Sequence, residues 1–233
     1  MHRYDWRVAI LTGPLLVEVL LAALGVAVNP PAVIASIMLV ASSRGRAIAF
    51  AGGWIAGLLL VGSVVALLGD VTALLGEPSK TRLIAKLVVG IALVALGASQ
   101  WLKHRSASTE QETPAWMRSL DNITAPRAFL MAAAYALFNP KTVAFVVAGA
   151  LTIVDASLGA AAEWAALALF VVLASLTVTA PVAFAVLAPQ SSAESLVSAR
   201  RWLSDNGSIL TAAALGVLGV VLVYSGITGL TQL

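Results

Sequence analysis

Apolar residues fill this chain in long runs separated by short polar stretches. The runs show neither the alternation of a half-buried strand nor the one-sided stripe of a soluble amphipathic helix. Six of them reach the length, about 20 residues, that a helix needs to cross a hydrocarbon layer about 30 Å thick. They cover 16–41, 47–69, 83–102, 127–153, 160–188 and 208–230. The pattern predicts an all-α membrane protein with six transmembrane helices. The start Met1-His2-Arg3 ahead of an apolar run is similar to a secretory signal. However, Glu18 and Asn29-Pro30-Pro31 interrupt that run and no convincing small-residue cleavage site follows, so it is taken as the first span.

The first and fourth runs carry the same interruption, Asn29-Pro30-Pro31 in one and Asn139-Pro140-Lys141 in the other. Aligned without gaps, Leu20 to Val40 and Leu130 to Ala150 share Leu, two Ala, Asn, Pro and Val. Each copy is followed by two further apolar runs. Three spans per half is an odd number, so the second half enters the membrane from the opposite side. The expected architecture is two inverted three-helix repeats, 1–105 and 125–233, each with its first helix broken at Asn-Pro, joined by a polar loop over 106–124. Within that loop Trp116, Met117, Leu120 and Ile123 have the spacing of a short interfacial helix. Ser191 followed by Glu194 fits a capping box for a second short helix toward Leu203, with Trp202 as an interfacial anchor.

Composition agrees with a membrane protein: 60% of residues are hydrophobic and 11% charged, and the mean hydropathy is +0.97. The net charge of +3 gathers in short connections rather than on a patch, so nucleic acid is not an expected partner. Arg44 and Arg46, then Lys103, Arg105, Arg118 and Arg127, then Arg200 and Arg201 place three connections in the cytoplasm by the positive-inside rule. Arg3, Arg7, Lys80, Arg82 and Lys86 oppose that assignment but are fewer, and both termini are expected outside.

The chemistry is expected at the breaks. Proline removes a backbone donor, Asn is a strong N-cap and Pro is favoured at the first helical position, so each Asn-Pro is a helix start inside a span. The start of each downstream half-helix brings a positive dipole end and unpaired N–H groups, which suit a phosphate, sulfate or carboxylate. Lys141 adds a full charge, and at 14 residues beyond Arg127 it lies about 21 Å into the span. Asn29, Pro30, Pro31, Asn139, Pro140 and Lys141 are therefore the candidate substrate-binding residues. The competing reading of each Asn-Pro is a packing kink. Glu18 is a candidate coupling carboxylate or partner for Lys141. Its alignment with Ala128, beside Arg127, favours a residue at the mouth of the span instead. Lys86 reads as an interfacial anchor, and Gly53, Gly57, Gly216 and Gly219 as close-packing positions. Pro181 reads as a packing kink, and Thr177 and Thr179 as lining a pathway or bonding backbone carbonyls, with packing the favoured reading.

Cysteine is absent, His2 and His104 have no carboxylate cluster, and no phosphate loop or hydrolase motif occurs. No metal, cofactor or enzymatic activity is expected.

Leu120-Asp121-Asn122-Ile123-Thr124-Ala125-Pro126-Arg127-Ala128-Phe129, followed by Phe138-Asn139-Pro140-Lys141, resembles the GAP family, the peptidoglycolipid-addressing proteins of the LysE transporter superfamily. Asn29-Pro30-Pro31 with Ser42, Ser43 and Arg44 is similar to the opening pattern of that family, with Pro31 as a departure. The resemblance implies a protein of the bacterial cytoplasmic membrane, typically actinobacterial, that moves a glycolipid or related lipid with an anionic or polar headgroup toward the envelope. It leaves open a homo-oligomer or a larger envelope-lipid export machinery. Two alternatives are export of an amino acid or other small solute, and an accessory subunit that does not itself transport. Thiol-transferring relatives need cysteine, and a divalent-cation exporter would need more buried carboxylates than Glu18.

Overall fold

The computed structural model describes residues 14–74, 78–106, 120 and 123–231, which contain eight helices and no strand. They are α1 (Pro14–Ala27), α2 (Pro30–Ser42), α3 (Arg44–Leu74), α4 (Pro78–Ser106), α5 (Ala125–Phe138), α6 (Pro140–Asp155), α7 (Ala160–Leu187) and α8 (Pro189–Leu230). Five of them, α1, α2, α4, α6 and α8, begin on a proline, where the missing N–H costs no helical bond. Arg3, Arg7, Trp116, Met117 and Arg118 lie outside the described residues.

Four helical stretches are each long and apolar enough to cross a bilayer: Arg44–Leu68, Leu83–Leu102, Ala160–Leu187 and Glu194–Leu230. The pairs α1–α2 and α5–α6 pass the same test jointly but are bent by 53° and 69°, which brings the candidate spans to six if each pair is one span. Large apolar side chains such as Leu60, Leu68, Ile91, Leu102 and Leu169 are exposed on the outer surface, as lipid-facing positions require.

Two expectations are corrected. The short helix beginning at Ser191 and the last span are one continuous helix of 42 residues that starts at Pro189. Between the two, Asn206 bonds back to the Trp202 carbonyl (3.0 Å) and Gly207 packs against Pro30. At about 63 Å, α8 outruns the hydrocarbon layer and projects from the side carrying Arg200 and Arg201. The second correction concerns Leu120, which is buried in the core with Ile123 packed beside it, rather than lying on an interface.

Small residues set the helix packing. Gly53 and Gly57 on α3 face α5, and a Cβ built at Gly53 would lie 2.0 Å from the Phe129 carbonyl oxygen. Gly90 on α4 and Gly219 on α8 face one another, each allowing the other backbone to approach closely. In the centre, Gly25 of α1 makes room for the Phe145 ring of α6.

Gly53→Ala should lower the thermal unfolding midpoint in detergent by about 4 °C or more, since overpacking costs about 2 kcal/mol and each kcal/mol shifts a chain of this size by about 2 °C or more. Gly216→Ala, where nothing lies within 4 Å of the added Cβ, should leave the midpoint unchanged or raise it. Equal loss in both variants would contradict the packing described.

Candidate functional site

The chemistry of the two breaks begins with backbone groups that have lost their helical partners. Pro30 and Pro31 deprive the carbonyls of Val26 and Ala27 of donors, and the Ala32 N–H turns to the Asn29 side chain (3.5 Å), which frees the Val28 carbonyl. The Ala27 carbonyl accepts from the Asn29 N–H (2.8 Å) and from the Thr177 hydroxyl (2.6 Å). The Val28 carbonyl accepts from the Lys141 ammonium, whose other bond goes to Thr211 Oγ1 (3.2 Å). At the second break Asn139 Oδ1 accepts from the N–H groups of both Lys141 (3.1 Å) and Thr142 (3.2 Å), a complete N-cap.

The breaks are also bonded to each other. Asn29, 1% exposed, donates from Nδ2 to Thr142 Oγ1 (3.1 Å), and its Oδ1 accepts from the Tyr135 hydroxyl (3.3 Å). The Tyr135 ring stacks on Trp54 of α3, with centroids 6.1 Å apart.

These bonds revise one expectation from the sequence. The first N–H groups of α2 and α6 are not free: each is absent because the residue is proline or is taken by Asn29 or Asn139. Positive character at the site therefore rests on the helix dipoles and on side chains, not on a cradle of unpaired amides.

All six residues singled out in the sequence, Asn29, Pro30, Pro31, Asn139, Pro140 and Lys141, line one cavity of about 530 Å³. The rest of the polar lining is the stripe Arg200, Ser204, Ser208 and Thr211 of α8, with Gln100 of α4 and Tyr135 of α5. The lining holds two cations and no carboxylate. No ion pair joins Lys141 to a carboxylate among the described residues. The α8 stripe was missed because Arg200 was assigned to a connection. Its spacing of three and four residues was the available signal, and it becomes informative once α8 is continuous.

Glu18 is placed elsewhere. It is buried and bonded to the Lys86 ammonium (3.2 Å) and the Thr152 hydroxyl (2.9 Å), and Lys86 also pairs with Asp155 (3.0 Å). Lys86, read as an interfacial anchor, is 7% exposed and sits between two carboxylates. Glu18 is therefore the partner of Lys86, not of Lys141. Thr177 and Thr179 both bond backbone carbonyls, Thr179 to that of Ser175 in its own helix (3.0 Å).

No curated protein and no solved structure matches the chain. The family model described as Sap, sulfolipid-1-addressing protein, matches residues 19–228, which include both Asn-Pro breaks, the residues lining the cavity and the paired Lys86. A match over that length makes this multi-pass, helical membrane protein a member of the sulfolipid-1-addressing protein (Sap) family.

Proposed function

We propose that the protein carries a lipid or glycolipid with an anionic or polar headgroup across the bacterial cytoplasmic membrane toward the envelope, holding the headgroup in the cavity between the two breaks. The observation that carries this reading is the lining: Lys141 and Arg200 face a space of about 530 Å³ that no carboxylate lines. A cation at membrane depth, as Lys141 is, is costly and is retained where it binds or moves something. A lipid, rather than a free amino acid, is favoured by the name of the family and by the rim of the cavity. Pro140 is exposed there and its neighbour Phe138 is 81% exposed, bringing the cavity edge to the apolar surface. The reading assigns no catalytic residue and no cofactor.

The architecture in this reading is six spans in two inverted repeats, as in the LysE superfamily. Part of the packing supports it: exchanging the halves maps α3 on α5 to α7 on α1, α3 on α6 to α7 on α2, and α4 on α6 to α8 on α2, while α4 on α8 maps to itself; α1 on α6 and α1 on α8 have no such counterpart. Both termini lie outside. Arg44, Arg46, Arg200 and Arg201 support that orientation, and Lys86 no longer opposes it, since its charge is matched by Glu18 and Asp155. The working unit is the chain alone, a homo-oligomer, or a component of a larger envelope-lipid export machinery.

In vesicles containing the purified protein, Lys141→Ala should cut the flux of a fluorescent lipid analogue with an anionic headgroup by about tenfold or more, the worth of one charge-assisted hydrogen bond of about 1.5 kcal/mol. Membrane insertion should be retained. Unchanged flux would remove Lys141 from the mechanism, and flux unchanged in Asn139→Ala as well would favour the accessory role.

Arg200→Gln should narrow the preference for the anionic analogue over a zwitterionic one, while flux of the zwitterionic analogue is kept. A preference untouched by Arg200→Gln would contradict the two-cation site. Transport of free amino acids without lipid flux would favour the small-solute exporter.

A further inference from the structure

The cavity lies on one side of the two breaks. On α8 its lining runs from Leu215 down to Arg200, about 22 Å, and on α4 from Leu96 to Gln100, with its polar residues toward the basic side. The other side is closed in two layers. The inner layer is apolar: Ala22 and Val26 of α1, Leu93 of α4 and Phe145 of α6 are all fully buried, with the Phe145 ring filling the space that Gly25 leaves. The outer layer is ionic. Glu18 lies 11 residues before Asn29 on α1, Asp155 lies 14 residues after Lys141 on α6, and Lys86 joins them from α4. The side chains of Lys86 and Glu18 are 8% and 7% exposed, and that of Asp155, the outermost, 19%.

A buried ion cluster is a poor device for stability, because desolvation offsets much of the attraction, whereas losing one partner strands a charge. Its value lies in having two states, paired or parted. Glu18 and Asp155 stand near the far ends of the two half-helices, α1 and α6, that meet the breaks. Helical hydrogen bonding stops at Val28–Asn29 and at Asn139, which makes those points hinges. Lys86 stands on α4, which runs unbroken from Pro78 to Ser106.

We propose that Glu18, Lys86 and Asp155, with Thr152 holding the Glu18 carboxylate, form the closed gate on the side of the cavity away from its basic mouth. Cargo leaves when α1 and α6 swing about their Asn-Pro hinges and draw the two carboxylates off the Lys86 post. As a step of transport this rests on the function proposed above, but the gate itself is a property of the chain without cargo.

The chain has no cysteine, so single reporters can be introduced into an unreactive background. In nanodiscs, a polar maleimide should react slowly with Ala22→Cys, in the sealed layer, and readily with Ser208→Cys, in the cavity. Adding Lys86→Met should speed labelling of Ala22→Cys at least tenfold and leave Ser208→Cys unchanged. The triple reversal Glu18→Lys, Lys86→Glu and Asp155→Lys should restore slow labelling. If Lys86→Met is not monodisperse, Asp155→Asn, which keeps the Lys86–Glu18 pair, should give a rise of about threefold. Labelling of Ala22→Cys that is unchanged in a monodisperse gate variant, or that stays fast in the triple reversal, overturns the gate. A rise in labelling together with lipid flux indifferent to Lys141→Ala would leave the gate standing and defeat the transport reading instead.

Discussion

Inside a bilayer every backbone N–H and C=O needs a partner from the protein, and the rest of this structure follows from how two interrupted helices meet that demand. The second break is largely self-sufficient, because one Asn139 oxygen takes both of the N–H groups that α6 leaves open. The first break, with two prolines in succession, is not. It draws Thr177 from α7 to the Ala27 carbonyl, Lys141 from α6 to the Val28 carbonyl, and Thr142 and Tyr135 to the Asn29 side chain. Satisfying that one break therefore fixes where three other elements of the bundle, α5, α6 and α7, stand.

Lys141 has a double role in consequence. Its ammonium sits where α1 ends, beside carbonyls and the negative end of a helix dipole, which compensates for a cation placed at the positive start of its own helix. An ammonium has three donors, and the structure uses two, on Val28 and Thr211. The same charge that completes the backbone of the first half thus contributes to the cavity. Arg200 extends the positive lining toward the basic side, while the only carboxylates among the described ion pairs, Glu18 and Asp155, are held away from it by Lys86. The cations of the cavity lining and the carboxylates paired with Lys86 thus lie on opposite sides of the breaks.

The long apolar runs and the two Asn-Pro breaks were legible in the sequence because they depend on local chemistry: hydropathy over one span, a missing donor, a capping side chain. All six residues named at the breaks line the cavity for that reason. What the sequence concealed depends on partners far along the chain. Glu18 and Lys86 are 68 residues apart, and hydropathy puts both near span ends, where a snorkelling side chain is the default. Arg200 reads as a loop charge because it lies between the apolar runs 160–188 and 208–230, and only the continuous α8 turns that stretch toward the cavity. The N–H groups at the half-helix starts look available from the sequence, but one carboxamide oxygen, that of Asn139, takes two donors.

The central claim, a shared anionic-headgroup site between the two breaks, is tested most directly by an experimental structure of the protein in nanodiscs containing an anionic lipid. The account predicts two interrupted helices and a headgroup within hydrogen-bond distance of Lys141, in the cavity that Arg200 also lines. Continuous helices through Pro30 and Pro140, or Lys141 paired with a carboxylate and no headgroup in the cavity, would contradict it.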